Sequence, residues 1–167
     1  PLVNYSMQII KSALSEEPTE SETVKLVTDR RTLAKRRWRG TAVDGGEFGF
    51  DLENPLRHGQ SFHAVDGKVY TLKQQPEKVL RVSYTGSQQA AHNAWQVGNL
   101  HFAAQFRDDY LLVEDDPAIR QMLDRLEVTY AEVEEVFEPV HAAGAHHHGH
   151  DHDHSHDDSH EHHGHSH

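Results

Sequence analysis

From His146 to His167 the chain has no apolar side chain, yet this stretch carries twelve of its 17 His. Such a segment buries too little surface to offset the entropy of ordering it. Any core must come from the residues before it, and the segment itself is expected to be disordered without a ligand. It also holds Asp151, Asp153, Asp157, Asp158 and Glu161 and no Lys or Arg, so it supplies −5 of the formal −11 carried by the 167 residues. An acidic, His-loaded chain is poor at holding phosphate backbones and well suited to attracting cations, so nucleic acid is not an expected partner.

There is no Cys. Disulfide frameworks, thiolate metal sites, iron–sulfur clusters and Cys nucleophiles are thereby excluded. No apolar run approaches the ~20 residues that cross a bilayer, so no membrane span is expected. The first residues lack a basic stretch followed by an apolar one, and the expectation is a cytoplasmic protein.

Two composition shifts divide the chain. One is Gln74-Gln75-Pro76-Glu77, a polar break with a Pro; the other is Ala142-Ala143-Gly144-Ala145. They suggest an N-terminal β domain over 1–75, a second domain over 76–143 and a His-rich tail over 144–167. In the first region Thr23–Val27 is β-branched, Arg37–Val43 and Glu47–Leu52 flank Asp44-Gly45-Gly46, and Ser61–Val65 and Lys68–Leu72 flank Asp66-Gly67. Phe48, Phe50 and Leu52 alternate with polar or small residues, the period of a half-buried strand. Two Asp-Gly steps between such runs signal hairpins. The expectation is a small, antiparallel-rich domain of five or six strands, with Met7–Lys11 supplying the first.

The second region changes rhythm. Val79–Tyr84 reads as a strand with Leu80, Val82 and Tyr84 on one face. Helix formers fill Gln88–Val97, with Ala91, Trp95 and Gly98 spaced for one face and Gly98-Asn99 as the stop. Ala103–Phe106 and Tyr110–Val113 read as strands around Arg107-Asp108-Asp109. Asp116-Pro117 is an N-cap followed by Pro at the first helical position. Ile119, Met122, Leu123 and Leu126 then fall at i, i+3, i+4 and i+7, an amphipathic helix, and Val128–Phe137 reads as a closing strand. The fold class is therefore α+β, with a C-terminal domain in the β-α-β-β-α-β order of ferredoxin-like folds.

The chemistry concentrates at the C-terminal end. His146, His147, His148, His150, His152, His154 and His156 place an imidazole at almost every other position. Neutral imidazole suits Ni, Cu, Zn and Co, and the affinity order favours Cu over Ni in simple competition. A purification tag is a short, pure run of His; this segment is longer and interleaved with Asp, Ser and Gly, and reads as a metal-binding tail. His101 follows a predicted helix end. By spacing alone a lone His there is a surface residue or a ligand. One His does not make a site, but two His101 side chains meeting at a two-fold axis can share an ion, with His141 and the start of the tail adding ligands. His58, His63 and His92 are isolated and read as structural, since a metal site needs several convergent ligands. Arg30, Arg31, Lys35, Arg36, Arg37 and Arg39 put six of the 16 bases in ten residues. They read first as a solvated strand edge and second as a docking patch for an acidic protein. No phosphate loop, nucleophile elbow or HExxH occurs, and no catalytic set is visible.

Three segments carry a resemblance: Gly98-Asn99-Leu100-His101 after an aromatic helix, Asp116-Pro117 with Met122-Leu123-Asp124-Arg125-Leu126, and Phe137-Glu138-Pro139 ahead of Gly144-Ala145 and a His-rich end. Together, and in this order, they resemble the UreE family of urease accessory proteins, nickel metallochaperones. The resemblance implies a β domain followed by a ferredoxin-like domain through which two subunits pair. It implies that His101 of each subunit binds Ni2+ at the interface, with tail His completing or supplementing the site. It also implies a urease accessory GTPase and the urease apoenzyme assembly as partners, and a protein that is not an enzyme. Leu100 stands where the family has Arg, and Gln96 where some members have a His. The alternative reading is a general divalent-metal buffer, for Ni2+, Cu2+, Zn2+ or Co2+, without a dedicated client.

Overall fold

A computed structural model describes residues 7–140. The chain is a mixed α+β protein with ten strands and three helices among those residues. His141, the 144–167 tail and its seven proposed ligands lie outside them.

The first half builds two three-stranded sheets around one aromatic-rich core. β2 (Glu22–Thr28) pairs in parallel with β6 (Lys68–Gln74), which pairs antiparallel with β5 (Ser61–Val65). β1 (Gln8–Ile10) pairs in parallel with β4 (Glu47–Asp51), which pairs antiparallel with β3 (Arg37–Thr41). Both expected hairpins are present. At Asp66-Gly67 the two turn residues have φ of 49° and 74°, the left-handed pair that matches strand twist. Six strands form where five or six were expected, but β1 and β2 enter parallel to their neighbours. Phe48, Phe50, Phe62 and Tyr70 lie buried at the centre. Phe48 meets Phe62 edge-on at 5.0 Å, and Trp38 stacks on Phe50 at 3.9 Å. Such pairs add to plain area burial. Gly40 lets β3 approach β2: a Cβ there would stand 3.0 Å from Leu26 Cδ2.

The expected strand edge through the basic cluster is only half correct. Asp29 caps a one-turn helix, α1 (Arg30–Leu33), by accepting the Thr32 N–H at 2.9 Å. Arg30 and Arg31 therefore sit on a helix, and only Arg37 and Arg39 on β3. An Asp three residues before a Thr competes for the backbone with extended structure, and here it wins.

The second half forms β7 (Glu77–Ser83), α2 (Ser87–Asn99), β8 (Ala104–Phe106), β9 (Tyr110–Glu114), α3 (Pro117–Arg125) and β10 (Ala131–Glu135). The four strands make one antiparallel sheet in the order β10-β7-β9-β8. Leu80, Val82, Leu111 and Val113 face the helices with Val97, Ile119, Met122 and Leu123. Asp116 caps α3 by accepting the Ala118 N–H at 2.8 Å, with Pro117 at the first helical position. Arg120 bridges Asp115 and Glu132, tying α3 to β10. Hydrogen bonding to Asp115 and then Glu132 holds the guanidinium above its usual range. The closing strand is shorter than Val128–Phe137, because Glu127 turns left-handed at φ 53° and Phe137 leaves the sheet.

Phe137 leaves to cover the other face. Its ring is fully buried with Val79 and Leu112. Arg30 Cζ lies 5.0 Å above that ring. Arg30 also donates twice to Glu77, at 2.9 and 3.0 Å, and once to Glu114 at 2.9 Å. The Phe137 carbonyl accepts from Gln74 Nε2 at 2.6 Å. Thus α1 and the end of β6 are clasped to the back of the second sheet by a forked ion pair over a buried ring. Phe137→Ala removes both the hydrophobic plug and the platform under Arg30. It is expected to lower unfolding free energy by about 3–5 kcal/mol in urea melts, and to shrink the effect of a second Arg30→Ala change.

Candidate metal centre

α2 decides where His101 goes. Its inward face is Asn93 and Val97, both buried. Ala91, Trp95 and Gly98, spaced for one face, lie on the exposed side; Trp95 is 61% exposed and Gly98 has nothing within 4 Å of its Cβ position. The three share one face as their spacing implied; periodicity identifies a stripe and not what covers it. The outward stripe is apolar and has no cover in one subunit's described residues.

The helix also stops later than Gly98-Asn99 implies. Leu100 caps it, and its N–H donates to the Val97 carbonyl at 3.1 Å. His101 then takes the left-handed conformation, φ 59°, with its N–H on the Gly98 carbonyl at 2.9 Å. This is the corner that Gly usually occupies, costing a side-chain-bearing residue roughly 1–2 kcal/mol. Phe102 packs against the core on the far side of the turn. Rigid anchors on both sides hold an exposed imidazole at the tip, next to exposed Leu100 and one end of the Trp95 stripe.

The other histidines lie elsewhere. His58 Nδ1 accepts the Gln74 N–H at 2.9 Å, and His63 sits among Phe48 and Tyr70 in the first half. His92 is exposed on α2, its ring 6.3 Å from Trp95. Among the described residues no three His, Asp or Glu side chains converge to hold an ion. His101 is therefore one donor in want of others, and His141, His146, His147, His148, His150, His152, His154 and His156 lie outside the described residues. A cleft of about 840 Å³ with mixed polar and apolar walls, lined by Ser83, Gln89, His92, Leu126, Val128 and Tyr130 among others, opens between α2 and the start of β10. No residue pattern along the chain announces this cleft. The buried Asn93 Nδ2 has no hydrogen-bond partner among the described residues.

Known proteins are similar to this chain over most of its length. A family model described as "UreE urease accessory protein, C-terminal domain" matches residues 77–167, from the first residue of β7 onward. Urease accessory protein UreE 2 of Pseudomonas syringae pv. syringae is 32% identical over 136 residues, covering 78% of this chain and 82% of that protein. The chain belongs to the UreE family. Urease accessory protein UreE of Azotobacter vinelandii is 31% identical over 146 residues, covering 84% of this chain and 87% of that protein. UreE of Beijerinckia indica subsp. indica is 33% identical over 122 residues, covering 72% and 70%. UreE proteins are urease accessory proteins rather than enzymes, and this chain is one of them. No helix among its described residues is long and apolar enough to cross a membrane.

The left-handed corner makes a stability test of function. His101→Gly relieves the backbone strain but frees the unfolded chain, and is expected to leave stability unchanged or raise it by up to about 1 kcal/mol in thermal melts. A loss of several kcal/mol would instead make His101 a packing residue.

Proposed function

We propose that this UreE protein is a homodimeric nickel metallochaperone of the cytoplasm that delivers Ni2+ for assembly of the urease active site. The observation that carries the reading is the exposed imidazole of His101, held on a rigid corner at the end of an uncovered apolar stripe. Pairing two such stripes about a two-fold axis buries Trp95 and brings two His101 side chains towards one another. Each contributes a neutral nitrogen donor of the kind Ni2+ accepts. The β-α-β-β-α-β order and the strand order β10-β7-β9-β8 support a ferredoxin-like domain over 76–143 as the pairing unit. Residues 1–75 form the domain that docks partners, a urease accessory GTPase and the urease apoenzyme assembly. The tail over 144–167 collects ions.

The mechanism is ligand exchange. His146, His147, His148, His150, His152, His154 and His156 bind Ni2+ in interchangeable sets, and so hold it weakly and release it readily. The two His101 side chains, with His141 or a tail imidazole completing the shell, hold one ion in a fixed place. A docked partner then removes it by offering better ligands. The donor set does not exclude Cu2+, Zn2+ or Co2+, which compete by affinity order and availability.

Deleting 145–167 is expected to lower the number of ions per dimer while leaving about one, the interface ion shared across the two-fold axis. Equilibrium nickel binding with native mass measurement reads this, and full retention would contradict the division of labour. His101→Ala is expected to lower urease activation in cells; unchanged activation would favour a general divalent-metal buffer. Because imidazole binds metal only when neutral, titration calorimetry should show uptake failing as pH falls below about 6.5, the ordinary His pKa.

A further inference from the structure

The body before His146 is acidic overall, yet it carries one basic island. Arg31, Lys35, Arg36, Arg37 and Arg39 are all exposed along α1, the turn after it and β3. Four carboxylates around them are already engaged. Asp29 bonds Thr32, Asp51 pairs with Lys11 and Arg37, and Glu77 and Glu114 hold Arg30. Arg31, Lys35, Arg36 and Arg39 make no ion pair among the described residues. β3 pairs with β4 on one side only, so this charge lies along a sheet edge.

Three residues before its described part ends, the chain passes beneath α1. Phe137 lies under Arg30, the neighbour of Arg31 in α1, and Val140 follows three residues later, its N–H on the Ala104 carbonyl at 2.9 Å. From Val140 to Asp151 is eleven residues, which span up to roughly 35–40 Å when extended. All five tail carboxylates can therefore reach the island. Their charge is opposite, −5 against four unpaired cations, and with His neutral nothing in the tail offsets it. Each exposed pair contributes little alone. Tethering supplies the remainder, since a linked segment meets its site at an effective concentration in the millimolar range.

We propose that in the metal-free protein residues 146–167 lie against the basic strip of Arg31, Lys35, Arg36 and Arg39, and that divalent cations bound by the tail cancel its charge and free the strip. The release half rests on the proposed metal-collecting role of the tail; the docking half does not. Three divalent ions suffice to cancel −5. The surface of the first half thereby reports whether the tail is loaded.

The lack of Cys makes the test clean, because Ser155→Cys introduces a single thiol for a nitroxide label. In full-length, metal-free protein at about pH 8, where ordinary imidazoles are neutral, and at low salt, the label is expected to broaden the amides of 31–39 severalfold more than those of β10. Diamagnetic Zn2+ in excess should abolish that broadening, and so should salt well above physiological strength. Replacing Asp151, Asp153, Asp157 and Asp158 by Asn and Glu161 by Gln should abolish it too, as should the combination R31E, K35E, R36E and R39E. The tail replacements leave the folded body untouched, so the test survives misfolding of the strip variant. Absence of selective broadening in the metal-free protein overturns the docking. Persistence of the broadening with Zn2+ counted on the tail by native mass measurement overturns the release. If no Zn2+ binds the tail, the metal-collecting role fails, and the metal-free spectrum still decides the docking.

Discussion

A helix that buries one face leaves its other face to something outside the subunit, and α2 meets that constraint. Asn93 and Val97 hold it to its own sheet. Ala91, Trp95 and Gly98 look away from it, and the stripe ends at a corner where His101 adopts a backbone conformation better suited to Gly. Strained residues persist where the surroundings over-determine them, and they cluster at binding sites. Here Leu100 caps the helix before the corner and Phe102 packs on the core after it. The imidazole is consequently carried outward from a backbone corner held on both sides. Presentation of this kind suits a donor that must meet its counterpart from a second subunit.

The two halves of the chain are not independent supports for that donor. Arg30 reaches from α1 to Glu77 at the start of β7 and Glu114 at the end of β9, over the ring of Phe137. The guanidinium is held above its usual range, with the Glu77 hydrogen bond outweighing the effect of burial. Phe137 closes the sheet face that the helices leave open, and Gln74 secures it through its carbonyl. The same contacts fix Phe137, three residues before the last described residue.

Much of this was legible in the residues. Alternation at Phe48 and Phe50, two Asp-Gly turns, and Asp116-Pro117 ahead of Ile119, Met122 and Leu123 each carry a local physical signal, and each element formed where that signal lay. What was not legible depends on tertiary partners. Periodicity marked the Ala91–Trp95–Gly98 stripe but not which way it turned. The basic cluster read as a strand edge because Arg30 gives no hint, one residue after its Asp29 cap, of carboxylates 47 and 84 residues away. His101 stood out as a His after a helix and through the Gly98-Asn99-Leu100-His101 resemblance; its left-handed corner, φ 59°, has no local signal in the residues. The parallel entry of β1 and β2 likewise rests on long-range pairing that no local pattern encodes.

The central claim is that two subunits bring their His101 side chains to one Ni2+. A crystal structure of the protein grown with Ni2+, phased at the nickel edge, tests it most directly. The account predicts an anomalous peak on a two-fold axis with an imidazole nitrogen from each His101 at about 2 Å, the usual metal–imidazole distance. Nickel bound elsewhere, with the two His101 side chains far apart and uncoordinated, would contradict it.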